Sequence, residues 1–105
     1  MTRLVSVVFW SNRLVGPTMS AELKRVEPNF SELGDWIRVS PSQWFLWTDA
    51  SRETLLAKLR ALRVDPLNDQ LIVTAVQPES AQGTAPQWIW DWLNDKMARQ
   101  FQGKS

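Results

Sequence analysis

The chain has 105 residues, 44% of them hydrophobic and 22% charged, which is the composition of an ordinary folded protein and the length of one domain. Its 12 basic and 11 acidic residues leave a net charge of +1, so no global field attracts a polyanion. The absence of cysteine and histidine excludes disulfides, histidine-based catalytic triads and zinc sites built on these ligands. We expect residues 1–105 to form a single domain without a bound cofactor.

The first predicted element is a buried strand. Residues 4–10 are almost all apolar, with the β-branched and aromatic side chains typical of a strand covered on both faces. The run is too short for a signal peptide and has no small-residue cleavage site, so we expect a cytoplasmic protein with no membrane partner. Thr18 is predicted to cap a first helix, which Pro28 interrupts and Gly34 ends.

A hairpin and a second helix are predicted next. Two β-rich runs, residues 36–40 and 44–48, are separated by a short turn-forming segment that suits a hairpin. Asp49 and Ser51 both offer caps for an amphipathic helix that carries leucines at helical spacing.

The last elements complete an α+β pattern. Residues 71–76 form a further apolar strand, and Pro86 opens a terminal helix to about residue 101. This order predicts a ferredoxin-like (βαββαβ) fold, a four-stranded antiparallel sheet with helices on one face and an appended C-terminal helix. The side chains expected to be buried in its core are Val7, Phe9, Leu46, Leu59, Ile72 and Val73.

The middle of the chain carries a resemblance to a known family. Residues 33–49 read LGDWIRVSPSQWFLWTD, and this segment resembles the SinR-like family, which is distantly related to the VapD toxins and to the small CRISPR-associated endoribonuclease subunit used in spacer acquisition. The similarity continues through the helix at Ser51, the Asn68-Asp69 pair and the terminal helix at residues 88–93. It implies a ferredoxin-like fold and a homodimer formed through the sheets and C-terminal segments.

The chain departs from this resemblance at the end of the first strand. Relatives with nuclease activity place an aspartate there, where it helps to hold a divalent metal. Here the segment reads Trp10-Ser11-Asn12, and these side chains lack the carboxylate oxygens that magnesium prefers. We therefore predict no catalytic residues and no metal ligands.

Three pairs of acidic residues have spacings that suit paired-carboxylate chemistry: Asp49 with Glu53, Asp65 with Asp69, and Asp91 with Asp95. Acidic residues at helix starts usually act as caps, and those in loops rich in proline and asparagine usually form turns. We predict cap and turn roles for the first two pairs, and a solvated helix face for Asp91 and Asp95.

A group of cations supplies the candidate nucleic-acid contacts: Arg38, Arg52, Lys58, Arg60 and Arg63. Cations on one short element can follow a phosphate backbone. Arg38 is predicted on a strand nearby in sequence, and the other four are predicted on the second helix. The helical angles of these four spread them around the helix, which favours a solvated polar face over a binding stripe.

Seven tryptophans and no tyrosine are the least ordinary feature of the composition. On the terminal helix, a second aromatic face lies away from the main apolar one. The candidate interface residues on it are Trp88, Trp92, Lys96 and Arg99. A helix that is apolar on two faces needs two burial partners, so this face either forms a subunit contact or is wedged inside its own domain.

The functional prediction is a non-catalytic homodimer that acts through self-association or a protein partner, in the nucleic-acid defence or toxin context that the resemblance implies. One alternative is a divalent-metal-dependent endoribonuclease of the same superfamily that uses displaced carboxylates. Another is a nucleic-acid-binding module. The nuclease requires at least two carboxylates near the end of the first strand, whereas the binding module requires a contiguous basic surface.

Overall fold

The structure is a computed structural model that describes residues 2–12, 16–65, 67–77 and 83–102. It has an α+β architecture, with a four-stranded antiparallel sheet and helices packed against it. The strands are β1 (Arg3–Ser11), β2 (Gly34–Ser40), β3 (Gln43–Thr48) and β4 (Asp69–Val76). The helices are α1 (Gly16–Leu23), α2 (Glu27–Leu33), α3 (Arg52–Arg60) and α4 (Gln87–Gln102), with a 3-10 turn at Lys24–Val26. No helix within the described ranges is both long and apolar enough to cross a membrane.

The element boundaries follow local signals in the sequence. Ser51 is the N-cap of α3, because its side chain accepts a hydrogen bond from the Thr54 N–H at 3.1 Å. Pro28 lies in the first turn of α2, where a helix does not need the N–H that proline lacks. The prediction that Thr18 caps the first helix is wrong, since α1 begins at Gly16 and Thr18 lies within its first turn.

The strand order in the sheet is β2-β3-β1-β4, and each pairing is antiparallel. The predicted hairpin consists of β2 and β3 and has a register shift between Arg38 and Ser40. β1 is an inner strand, so Val8 lies between Gln43 on β3 and Ile72 on β4. β2 and β4 are the edge strands.

One face of the sheet packs against α1, α2 and α3. Alternate residues of β1 (Val5, Val7 and Phe9) are buried there with Trp44 and Leu46 of β3. The helical side of this core consists of Leu23, Val26, Phe30, Leu55 and Leu59. The predicted burial of Val7, Phe9, Leu46 and Leu59 is confirmed.

The opposite face of the sheet packs against α4. Leu4 and Trp47 point to this face and form a second buried cluster with Ile89 and Leu93 of α4. The cluster is surrounded by partly buried side chains, mostly from β2, β3 and α4. The appended helix therefore lies on the face that the other helices leave free, and helices cover parts of both faces.

The prediction that Ile72 is buried is wrong, since Ile72 is 52% exposed. This residue points to the α4 face from the edge strand β4, and α4 packs mainly against β2 and β3. Val73 points to the opposite face and is only partly buried against the main core. Truncating Ile72 therefore removes less buried surface than a core substitution does.

Candidate functional site

The end of β1 is where the resemblance implies a metal-binding aspartate. Ser11 is buried there and lies opposite Asp69 of β4. Asn12 is exposed, and its backbone N–H donates to the Asn68 carbonyl at 2.9 Å. A carboxylate is therefore present beside the end of β1, but it comes from β4 and is only 1% exposed.

The Asp69 carboxylate organises the loop that precedes β4. Its Oδ2 atom accepts hydrogen bonds from the backbone N–H groups of Val64 at 2.9 Å and Asp65 at 3.2 Å. The Arg25 guanidinium approaches the same oxygen at 3.9 Å and also donates to the Leu62 carbonyl. These donors stabilise the negative charge of a carboxylate whose burial would otherwise be unfavourable.

Asp65 is the second carboxylate near the end of β1. Its Oδ1 atom accepts from the Leu67 N–H at 3.1 Å, and its Oδ2 atom accepts from the Asn68 side-chain amide at 2.7 Å. The hydrogen bond from Asn68, followed by that from Leu67, lowers the pKa of Asp65. Both oxygens help to close the loop, which is a turn-forming role of the kind that acidic residues take in such segments.

The Asp65 and Asp69 carboxylates near the end of β1 do not form a site that fits a divalent metal ion. Magnesium demands an octahedral set of oxygen ligands, usually one or two carboxylates with waters and substrate oxygens. The Asp65 and Asp69 carboxylates already accept hydrogen bonds inside the loop, and Arg25 adds a positive charge beside Asp69. Over the described part of the chain, no group of three or more acidic, cysteine or histidine side chains is placed to hold a metal. The end of β1 therefore carries structural carboxylates.

Arg38 is the first of the predicted nucleic-acid contacts, and its charge is engaged inside the protein. Its side chain is 15% exposed and pairs with Glu27 of α2 at 3.3 Å. The guanidinium donates to the carbonyls of Ser20 at 3.0 Å and Pro41 at 2.5 Å, and it lies 5.0 Å from the centre of the Trp44 ring. Arg38 therefore joins α1 and α2 to the β2–β3 turn.

The other predicted nucleic-acid contacts lie on or just after α3: Arg52, Lys58, Arg60 and Arg63. Lys58 pairs with Glu32 of α2 at 2.8 Å, which balances its charge. Arg63 donates from Nε to the Arg60 carbonyl at 3.4 Å. Arg52 and Arg60 are exposed at opposite ends of the helix, about 12 Å apart along its axis. Because Arg38 is engaged with α1 and α2, it adds no available charge to this set.

An ion cluster holds the terminal helix to the sheet. The Lys96 side chain is 3% exposed, and its ammonium lies 2.9 Å from an Asp35 oxygen on β2 and 3.2 Å from Asp95. Arg99 contacts the same two carboxylates at 3.8 Å and 3.2 Å. The hydrogen bond from Lys96 lowers the pKa of Asp35. The candidate interface residues Lys96 and Arg99 thus dock α4 onto its own chain.

The two candidate tryptophans of α4 have different surroundings. Trp92 is partly buried, and the Lys96 ammonium lies 5.1 Å from the centre of its ring. Trp88 is 54% exposed at the start of the helix. Sequence reasoning missed the burial of Lys96, although a signal was present. Lys96 follows Leu93 by three residues and Ile89 by seven, a spacing that puts it on the buried face of the helix.

On the α4 face of the sheet, the part of the chain that the structure describes leaves four side chains uncovered, which we call the open strip: Val8, Trp10, Ile72 and Thr74. Alternation along β1 and β4 and the register between them place these residues on the same face. Ile72 and Thr74 are exposed, and Val8 and Trp10 are partly exposed. The exposure of this strip depends on which strand lies at the sheet edge and on where α4 packs, so the sequence pattern did not predict it.

A groove of about 410 Å³ lies between the start of α4 and the β2–β3 hairpin. Its lining is mainly apolar and includes Val39, Phe45 and Trp90. Gln43 lines the groove and pairs with Val8 in the sheet, so the groove adjoins the open strip. The partly apolar surface on this face is therefore larger than the open strip alone.

Comparison with known proteins assigns no function to these residues. The chain matches no protein-family model and no curated protein. The residues and geometry of the chain itself are therefore the evidence for its function.

Proposed function

We propose that this chain is a ferredoxin-like, non-catalytic protein that acts by self-association. The fold assignment is supported by the alternation of strands and helices together with the strand order β2-β3-β1-β4, an arrangement that two split βαβ units produce. Self-association is supported by the α4 face, on which the open strip and the adjoining groove leave apolar side chains accessible to water.

The main evidence for this proposal is the exposure of Ile72 in the middle of β4. Single exposed apolar side chains are common on protein surfaces, but Ile72 pairs directly with the partly exposed Val8, and Trp10 lies one step along the same face. Burying such surface against another protein is favourable by about 25 cal/mol per Å². The carboxylates at the end of β1, by contrast, are engaged within their own loop.

We expect the wild-type protein to associate at micromolar concentration. Sedimentation velocity over a range of concentrations measures this directly, and the weight-average sedimentation coefficient should rise from the monomer value to that of a dimer. The reason is that closed two-fold association is the commonest way to bury a surface patch against its own copy. A monomer at every concentration would contradict the proposal.

The nuclease alternative has one observation in its favour, which is that Asp65 and Asp69 both lie near the end of β1. We nevertheless expect no cleavage of single- or double-stranded RNA or DNA in magnesium or manganese, because both carboxylates are occupied by loop hydrogen bonds. Gel analysis of the nucleic acids after incubation tests this. Metal-dependent cleavage that disappears in the Asp65→Asn or Asp69→Asn variant, with the variant still folded by circular dichroism, would establish the enzyme instead.

A further inference from the structure

β4 lies at one end of the sheet, and its outer edge is the side that faces away from β1. β4 pairs with β1 on one side, and among the described residues no other strand pairs with it. An edge strand presents a row of backbone N–H and C=O groups that can pair with another strand. Proteins usually protect such edges with charged side chains, prolines, bulges or a short strand length.

Apart from the buried Asp69 at its start, β4 carries none of these protections, whereas the other edge strand does. Residues 70–76 include no charged residue and no proline, and their register with β1 runs without a shift. β2 at the opposite edge carries Asp35 and Arg38 and has a register shift beside Arg38. Lys96 and Arg99 of α4 also lie against β2. The β4 edge of the sheet is therefore more available than the β2 edge for pairing with another strand.

The charge pattern of β4 matches a second copy of the same strand. A two-fold axis brings only the residues nearest to it close to their own copies, so a charge close to the axis meets a like charge and opposes association. The uncharged segment of β4 avoids this repulsion. With the axis at Ile72, the isoleucine meets its copy on the α4 face, and Leu71 meets Val73 on the other face.

We infer that two copies of this chain join through antiparallel pairing of their β4 edges about Ile72, so that two four-stranded sheets form one continuous sheet. This inference rests on the proposed self-association and specifies its surface. Pairing satisfies the outward backbone groups of both edges and brings the two open strips side by side. Each Ile72 side chain then covers the exposed side chain of its copy.

Cysteine cross-linking tests the register, because the chain has no cysteine of its own. Directly opposed residues of antiparallel strands have Cβ atoms about 4.5–5.5 Å apart, which is close enough for a disulfide after a small adjustment. Ile72→Cys should therefore give a covalent dimer under mild oxidation. Thr74→Cys is the matched control, because Thr74 and its copy would lie about 14 Å apart, beyond the reach of a disulfide.

A charge substitution tests the same surface without a covalent bond. Ile72→Lys should weaken dimerisation at least tenfold in sedimentation velocity, because it places two ammonium groups face to face at the axis. Trp88→Lys makes the same change at a site of similar exposure on α4 and should leave the dimer intact. Circular dichroism should show both variants folded, since both side chains are already half exposed.

The outcomes separate this inference from the proposal on which it rests. A monomeric wild type overturns both. A wild-type dimer that resists Ile72→Lys, or that cross-links through Thr74→Cys as readily as through Ile72→Cys, overturns the β4 pairing and leaves self-association standing. Dissociation by Trp88→Lys alone would place the interface on α4. Cross-linking at Ile72→Cys only, together with dissociation by Ile72→Lys only, is the expected result.

Discussion

Replacing Gly34 with alanine should destabilise the protein by more than about 3 kcal/mol. Gly34 ends α2 and begins β2, donating its N–H to the Phe30 carbonyl while pairing with Thr48 of β3. Its φ of +154° is a backbone conformation that residues with a side chain rarely adopt. An added Cβ would also collide with the Trp47 carbonyl oxygen, which the backbone of β3 holds in place. Urea denaturation measures the loss as a lower midpoint.

Gly83 provides a matched control for this substitution. It also has a positive φ, of +140°, but a Cβ added there meets nothing within 4 Å. Gly83→Ala should therefore show the backbone strain alone, about 1–2 kcal/mol, whereas Gly34→Ala adds the collision. Equal losses for the two variants would show that the close approach to Trp47 does not limit residue 34.

The second large effect is expected from removing both carboxylates around Lys96. The double substitution Asp35→Asn and Asp95→Asn preserves shape but leaves a 3% exposed ammonium without a counter-charge. Leaving one partner of a buried ion pair uncompensated typically costs about 3–5 kcal/mol. We expect about 2–3 kcal/mol here, because both carboxylates are themselves half exposed and partly screened. The free energy of unfolding from urea titration at neutral pH gives the value.

Lys96→Met distinguishes this electrostatic effect from a packing effect. Methionine retains much of the apolar stem of lysine without its charge, so this variant should stay within about 1 kcal/mol of the wild type. When Lys96→Met is combined with Asp35→Asn and Asp95→Asn, most of the lost stability should return, because no buried charge remains. A triple variant as unstable as the double variant would show that the two aspartates act independently of Lys96.

The same cluster predicts a dependence on pH. The hydrogen bond from Lys96 holds the pKa of Asp35 below its ordinary value of 3.8. The ionised Asp35 therefore adds stability above pH 3.8, and this stability is lost as the pH falls through the lower pKa of the folded state. Urea midpoints measured below pH 3.8 should fall further for the wild type than for Lys96→Met, which lacks the interaction.

Most secondary-structure elements of this protein were predictable from the sequence, because the signals for them are local. The apolar run of β1, the Ser51 cap of α3 and the Gly34 boundary each depend on residues within a few positions along the chain. Side chains alternate between the two faces along β3, so the placement of Trp44 and Trp47 on opposite faces of the sheet was also predictable. The turn-forming roles of Asp65 and Asp69 were also predictable, since both carboxylates accept hydrogen bonds from backbone N–H groups within five residues along the chain.

Which of these surfaces is exposed to solvent depends on how the elements pack together. Ile72 looked like a core residue because β4 is apolar on both faces, yet its exposure depends on β4 lying at the sheet edge and on α4 packing mainly against β2 and β3. The spacing along α4 places Lys96 on the buried face of the helix, but its partner Asp35 lies 61 residues away along the chain, and local patterns do not indicate that pairing. Local patterns describe which side of an element is apolar, whereas burial depends on what another part of the chain places against that side.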